Sequence, residues 1–251
     1  MDNLSITDDE KLSNNGPLPA AGFDYSSVRA LLVDIDDTIV RFRNGAQTDS
    51  LLGVLQSAAV SIGRLSSHEA ARRIERVKEE TTWWHFSDFI VALDLNPRRF
   101  WEYALQRERA YLEPTGSEMR AALEKLKEEG ILLYVTSNNP SSGILHKLAI
   151  AGLATIQGAP LFSQLLGATE LQAMKWQPVY WKKALAHIGL NASEVAVLGD
   201  SVRDDFEVPH SVGIPHTFLI NRNGSSSVEN SRFVTNVSDF EQVAACLLCR
   251  S

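Results

Sequence analysis

Three short apolar runs in this chain each end abruptly in a cluster of polar side chains, and no other feature narrows the possible folds as much. "RALLV" at 29–33 runs into "DIDDT", "ILLYV" at 131–135 into "TSNN", and "VAVLG" at 195–199 into "DSVRDD". Runs this short and this apolar read as strands buried on both faces. Amphipathic helices stand between them. In "SEMRAALEKLKEEG" Met119, Ala122, Leu123 and Leu126 recur at helical spacing, and Gly130 offers a C-terminal cap. In "PVYWKKALAHIGL" Pro178 suits the first turn, Trp181, Ala184, Leu185 and Ile188 form the stripe, and Gly189 stops the helix. "TFLI" at 217–220 and "FVT" at 233–235 add two strands, and "VSDFEQVAACLL" reads as a closing helix. The alternation predicts an α/β fold, a parallel sheet with helices on both faces. Reactive groups gather at the carboxyl ends of the strands in such sheets, and that is where the three polar clusters fall.

Residues 41–112 are of another kind, with helix patterns and no convincing strand. In "SSHEAARRIERVKEE" Ala70, Ala71, Ile74 and Val77 make a narrow apolar stripe, and "NPRRFWEYALQRERAYL" opens with a proline suited to a helix start. Inserted after one strand, this segment is expected to form a small helical bundle over the sheet's active edge. The expected organisation is a flexible leader over 1–26, a core over 27–40 and 113–251, and the helical insertion over 41–112. The leader is rich in Asp, Asn, Ser, Gly and Pro.

At 251 residues the chain can bury a sizeable core. A formal net charge of −7 argues against nucleic acid or an anionic membrane surface as partner. No segment approaches the roughly 18 unbroken apolar residues of a membrane span, and the acidic start lacks the pattern of a signal peptide. Cys246 and Cys249 form a CxxC pair with no second pair of ligands nearby. They read as reduced cysteines on a terminal helix, in a cytoplasmic protein.

In "DIDDT" residues two apart face the same way, so Asp34 and Asp36 point into one site while Ile35 turns to the core. Two adjacent carboxylates resist common ionisation, which suits one for attack and the other for proton transfer. Asp37 is expected to face elsewhere and cap the turn, and Thr38 to hold the loop's shape. Asp200, Asp204 and Asp205 follow the third run on a turn opened by Gly199. Asp204 and Asp205 could simply complement a helix dipole, but together with the acids of the first strand they form a set of hard oxygen ligands suited to Mg²⁺. Asp34, Asp36, Asp200, Asp204 and Asp205 carry −5 if all are ionised, which Mg²⁺ and one lysine reduce to −2. An anionic phosphate therefore enters only with the cation. Lys175 in "AMKWQPVYW" is the best-placed lysine, and Thr136, Ser137 and Asn138 supply hydroxyl, amide and backbone donors for phosphoryl oxygens.

"VDIDDT", "YVTSN", the lysine of "KWQP" and "GDSVRDD" occur in the order, and roughly at the spacing, of the four motifs of the haloacid dehalogenase-like (HAD) superfamily, which this chain resembles over about residues 28–250. Trp176 stands where many members have proline after the motif lysine. The insertion between the first and second motifs is similar to the cap of the subclass that includes phosphoglycolate phosphatase, nucleotidases and β-phosphoglucomutase. The resemblance implies a Rossmann-like core, a movable helical cap, Mg²⁺ and an aspartyl-phosphate intermediate. Asp34 is then the nucleophile, and Asp36 protonates the leaving group and later deprotonates water. Mg²⁺ is held by the Asp34 carboxylate, the Asp36 backbone carbonyl and Asp200, with Asp204 or Asp205 positioning ligands or waters. The spacing to Gly213 favours Asp205. Thr136 and Lys175 grip the transferring phosphoryl.

The expected activity is hydrolysis of a small phosphomonoester: a sugar phosphate, a nucleotide or a phosphoglycolate-like acid. Dehalogenases of the family lack the second aspartate, so Asp36 favours phosphoryl transfer. A phosphomutase and a non-catalytic binding member are the alternatives, and monomer and homodimer both stay open. Trp83, Trp84 and His85 in "TTWWHFSDF" are candidates to touch the leaving group or to fill the bundle core. Arg41 and Arg43 either meet an anionic substrate or line the hinge. His68, His146, His187, His210 and His216 show no ligand spacing and are assigned no chemistry.

Overall fold

The structure is a computed structural model that describes residues 24–43, 51–80, 86–155, 158–220 and 233–249. Most of the expected leader, and Trp83, Trp84 and His85 with it, lie outside the described residues. The first half of the chain runs β1 (Ala30–Val33), β2 (Val40–Phe42), α1 (Leu51–Ser61), α2 (Ser67–Glu80), α3 (Phe86–Ala92), α4 (Pro97–Tyr111) and β3 (Leu112–Pro114). Then come α5 (Met119–Glu128), β4 (Leu132–Ser137), α6 (Ser141–Ile150), β5 (Gln164–Gly167), α7 (Ala168–Leu171) and α8 (Pro178–Ile188). The last part holds β6 (Val195–Gly199), a π-helical turn (Val202–Glu207), α9 (Val208–Ser211), β7 (His216–Ile220), β8 (Val234–Val237) and α10 (Phe240–Leu248).

Six strands form one parallel sheet in the order β5-β4-β1-β6-β7-β8. Alternation along the strands sends side chains to two separate apolar clusters. Leu31, Val33, Leu133, Val135 and Leu198 join Leu123 and Leu126 of α5 and Val243 of α10 on one face. Ala30, Leu32, Tyr134 and Val197 join Trp181 and Ala184 of α8 on the other. This is the Rossmann-like α/β arrangement expected from the sequence. The buried residues of α5 are Met119, Ala122, Leu123 and Leu126, the four named by periodicity. On α8 the stripe sits one position earlier than expected, with Tyr180, Trp181 and Ala184 buried and Leu185 and Ile188 at the edge.

The chain leaves β1 for β4 and β5 on one side and returns to β6 on the other. The carboxyl ends of β1, β4 and β6 therefore meet at the point where the winding reverses, the usual place for a site in such sheets.

Several features depart from the sequence reading. Val40–Phe42 and Leu112–Pro114 pair as an antiparallel ribbon at the entry and exit of the segment read as strand-free. Strands of three residues carry too little periodicity to be read, and Pro114 sits where an end position tolerates it. β5 was also not anticipated, because its apolar content is only Leu165 and Leu166 and its outer half is open. Tyr25, assigned by sequence to the leader, packs against the core, stacks on Phe218 at 5.2 Å and bonds Thr235 through its hydroxyl at 2.7 Å.

Helices α1 to α4 share a third apolar cluster of their own, with Leu55, Ala59, Ile74, Phe89, Leu93 and Phe100 among its buried members. Asn96 caps α4 by accepting from the Arg99 amide, and Pro97 takes the first helical position. Among the described residues no helix is long and apolar enough to cross a membrane. Phe100 is fully buried in the helical cluster, and the edge of Trp101 meets it at 4.9 Å. Phe100→Ala is expected to cost about 3–5 kcal/mol of folding stability. Chemical denaturation of the two proteins measures this, and a change under about 1 kcal/mol contradicts the cluster.

Candidate active site

Asp34 follows β1 directly, and its amide donates to Leu198 O at 2.8 Å, so the strand geometry carries one residue beyond the sheet register. Its carboxylate is buried, and Lys175 Nζ donates to Oδ1 at 2.5 Å. The same ammonium lies 2.5 Å from Asp205 Oδ1. Lys175 reaches this place because its loop is tied at both ends: its amide donates to Asn138 Oδ1 at 2.7 Å, and its carbonyl accepts from Trp181 Nε1 at 2.9 Å. Asp205 is set by the wide turn after β6. Its amide donates to Ser201 O and its Oδ2 accepts from the Ser201 amide, at 2.9 and 3.1 Å. Gly199 leaves the room, since a Cβ there would stand 2.1 Å from Asp205 Cγ. π-helical turns of this kind are frequent at functional sites.

Asp34, Asp200 and Asp205 each offer a carboxylate oxygen within 4.8 Å of the others. Three hard oxygen donors in one small volume suit a divalent cation. The acids also resist ionisation as they stand. Burial raises Asp34 well above the usual carboxylate range, Asp205 and Asp36 add to the rise, and Lys175 opposes it. Asp205 is raised by burial against the pull of Lys175. Asp200 is pushed to about 7 by burial, Asp205 and Asp37. Burial alone would lower Lys175, but Asp205 and Asp34 outweigh it and hold the ammonium charged.

Asp36 takes a different position. Its carboxylate is partly exposed and is absent from the three-acid cluster; Lys147 Nζ donates to Oδ1 at 2.5 Å and Asn139 Nδ2 to Oδ2 at 2.8 Å. Asp204 likewise stands outside that cluster, and its Oδ2 accepts from Asn138 Nδ2 at 3.3 Å. The geometry thus agrees with the Gly213 spacing in bringing Asp205, not Asp204, to the cluster. Asp37 is exposed with φ of 55°, a left-handed conformation that Asp tolerates. It was expected to turn away, yet it lines the cleft and its charge reaches Asp200.

At the end of β4, Thr136 is fully buried and its Oγ1 has no hydrogen-bond partner. It lies beside Asp34, one step past the paired Val33 and Val135. Ser137 and Asn138 line the cleft but are already engaged. The Ser137 amide donates to Tyr180 Oη at 3.0 Å, its Oγ accepts from Asn139, and Asn138 braces Asp204 against the Lys175 loop. The cleft encloses about 180 Å³. Arg41 pairs with Glu113 at 3.1 Å across the β2–β3 ribbon and Arg43 donates to Leu112 O, so both side chains are engaged with that ribbon.

Sequence reasoning missed Lys147, Asn139 and Tyr180. Lys147 lay within reach of the periodicity: it shares the buried face of α6 with Ile144 and Leu148, an odd place for a lysine without a partner. Tyr180 gave no signal, since it lies one position before the apolar stripe read from the sequence. Its hydroxyl donates to Leu166 O and receives the Ser137 amide, so it joins the ends of β4 and β5.

The haloacid dehalogenase-like hydrolase family model matches residues 28–213. The chain is 33% identical over 95 residues to phosphoglycolate phosphatase of Pasteurella multocida (strain Pm70), covering 38% of this chain and 40% of that protein. It is 30% identical over 132 residues to the Haemophilus influenzae (strain 86-028NP) phosphoglycolate phosphatase, covering 51% and 55%. These matches span between two fifths and little more than half of the relatives' length. Among solved structures, a HAD phosphatase from Thermococcus onnurineus superposes with a TM-score of 0.59 at 22% identity, over 88% of this chain and 98% of that one. A 2-haloacid dehalogenase from Pseudomonas syringae pv. Tomato DC3000 gives 0.59 at 15% identity over 88% and 98%. The structural likeness establishes the fold. With the family match spanning most of the described core, the chain belongs to the haloacid dehalogenase-like hydrolases.

Proposed function

We propose that the protein is a Mg²⁺-dependent phosphatase that hydrolyses a small phosphomonoester in the cytoplasm through an aspartyl-phosphate on Asp34. The observation that carries this reading is the contrast between two acids at one strand end. Asp34 is buried against Lys175 and two further carboxylates, while Asp36 stands apart on Lys147 and Asn139. Two carboxylates in such different surroundings suit two different tasks.

In the proposed reaction an Asp34 oxygen attacks phosphorus, the bond to the leaving oxygen breaks, and that oxygen takes a proton from Asp36. Asp36, now a carboxylate, accepts a proton from water, whose oxygen displaces Asp34 and releases inorganic phosphate. Lys175 offsets charge on Asp34, and the unpartnered Thr136 hydroxyl is available to a phosphoryl oxygen. Asp34, Asp200 and Asp205, with the Asp36 carbonyl, would hold Mg²⁺, and Asp204 stands behind them on Asn138. When bound, the ion keeps these acids ionised and neutralises phosphoryl charge. Expulsion of a halide needs no proton, so Asp36 has no task in a dehalogenase. Relatives named phosphoglycolate phosphatase support a small anionic ester. So does the cleft, whose roughly 180 Å³ falls below the about 300 Å³ at which drug-sized ligand pockets begin. The helical segment over 41–112 is taken as the cap that closes this cleft.

A screen of sugar phosphates, nucleotides and phosphoglycolate with Mg²⁺ is expected to release inorganic phosphate from at least one. Asp34→Asn should lower that turnover by at least about 10³-fold with the fold intact by circular dichroism. Equal turnover by the mutant removes Asp34 from the nucleophile's role, and isomerised sugar phosphate in place of free phosphate makes the protein a mutase.

The acid cluster also makes stability depend on pH and cation. Asp200 holds its proton up to about 7, against 3.8 as its ordinary value. The folded state thus binds that proton more tightly, so without a cation this group's contribution falls as pH rises through that interval. Mg²⁺ acts in the opposite sense. At a hundredfold excess over Kd it is expected to raise Tm by roughly 5–10 °C, and by more at pH 8 than at pH 5. Thermal unfolding with and without chelator checks this, and a Tm indifferent to Mg²⁺ at both pH values counts against the site.

A further inference from the structure

Lys147 is a buried cation outside the motifs that identify the family. It is 9% exposed, on the face of α6 that carries Ile144 and Leu148 into the core. Burying an ammonium is costly unless it is paired, so its partners define its purpose. The direct partner is Asp36, at 2.5 Å. Asn139 holds the other oxygen of the same carboxylate at 2.8 Å, so both oxygens are gripped from α6 and the connection that leads into it. The ammonium also feels Glu108, on the last helix of the insertion. Glu108 Oε2 lies 3.1 Å from His146 Nε2, both side chains buried, and so anchors α4 beside the lysine. Trp101 of α4 fits over Gly143, where a Cβ would come within 3.2 Å of the indole.

We propose that Lys147 is a positioning residue for Asp36: with Asn139 it fixes the carboxylate of the acid/base group at the mouth of the cleft. The inference rests on the phosphatase reading above for the task of Asp36, but the placement itself stands on geometry. A plain structural cation would be expected to pair with a carboxylate remote from the cleft. Lys147 instead takes Asp36, an acid of the first motif that Lys175 does not touch. Each of the two lysines thus holds one acid of that motif, and the six aspartates lining the cleft against two ammonium groups leave four formal negative charges near it.

The test compares Lys147→Met, which keeps length and burial, and Lys147→Arg, which keeps the charge, with Asp36→Asn. The substrates are an alkyl phosphomonoester, whose alkoxide needs a proton to leave, and p-nitrophenyl phosphate, whose phenolate does not. The readout is kcat/KM, which reports steps up to formation of the phosphoenzyme. Lys147→Met is expected to lose on the order of 10²-fold on the alkyl ester and several times less on the aryl ester. Lys147→Arg should regain part of the alkyl activity, and Lys147→Met added to Asp36→Asn should cost little more than Asp36→Asn alone. Equal losses on both esters, or full additivity with Asp36→Asn, overturn the proposal. A crystal structure of Lys147→Met supplies a second readout that holds even if no ester is turned over by the wild type, an outcome that would sink only the phosphatase reading. The Asp36 carboxylate is expected to leave Asn139 in that structure, and an unmoved carboxylate overturns the positioning role.

Discussion

Everything at this strand edge depends on one ammonium group set between two buried carboxylates. Lys175 lies 2.5 Å from both Asp34 and Asp205, and none of the three is more than a few per cent exposed. Removing either acid would leave the lysine with less to offset its burial, and removing the lysine would leave two like charges in a dry pocket. The arrangement is strongly conditional, and the fold meets its conditions with apolar groups. Trp181 is fully buried in the α8 face and gives its indole N–H to the Lys175 carbonyl. Gly199 keeps the end of β6 bare so that Asp205 can fold back over it.

The fold was legible because its strands are buried on both faces. Uninterrupted apolar runs at 29–33, 131–135 and 195–199 carry a signal that a half-exposed strand such as Gln164–Gly167 does not. The acids were legible for a related reason: Asp34 and Asp200 are conspicuous directly behind such runs, where a change from apolar to charged has no packing purpose. The partners that orient them were not. Lys147 and Tyr180 look like ordinary members of α6 and α8, and only the three-dimensional meeting of β4, β5 and α8 shows that one hydroxyl joins Leu166 to Ser137. Periodicity tells which face a residue occupies, and it is silent on which side chain waits across that face.

Helices α1 to α4 have their own apolar cluster, which among the described residues shares no member with the two that cover the sheet. Their contact with α6 is of mixed character: an indole over a glycine, and a buried glutamate beside a histidine. Polar contacts depend on geometry far more than apolar area does, so such a joint favours one alignment of the two units over its neighbours. The joint also lies one residue from Lys147. A shift of α4 on α6 would therefore be felt at Asp36 before it reached Asp34, which sits deeper and is braced from the opposite side by the Lys175 loop.

That difference in depth explains why adjacent acids on one strand end up unlike. Period-two geometry brings Asp34 and Asp36 toward the same edge, and a flat strand would have given them similar surroundings. The chain turns sharply after Asp36 instead. Asp37 adopts a left-handed conformation, and the amides of Ile39 and Val40 both return to Ile35 O. The turn lifts Asp36 to the rim, where its side chain is 42% exposed, while that of Asp34 stays at 9%. A rim carboxylate gripped by Lys147 and Asn139, and a buried one pressed against Lys175, thus follow from a single turn. The same pair on a straight strand would compete for one cation. On this turn only the deeper acid joins Asp200 and Asp205, and the shallower one is held by Lys147 and Asn139 instead.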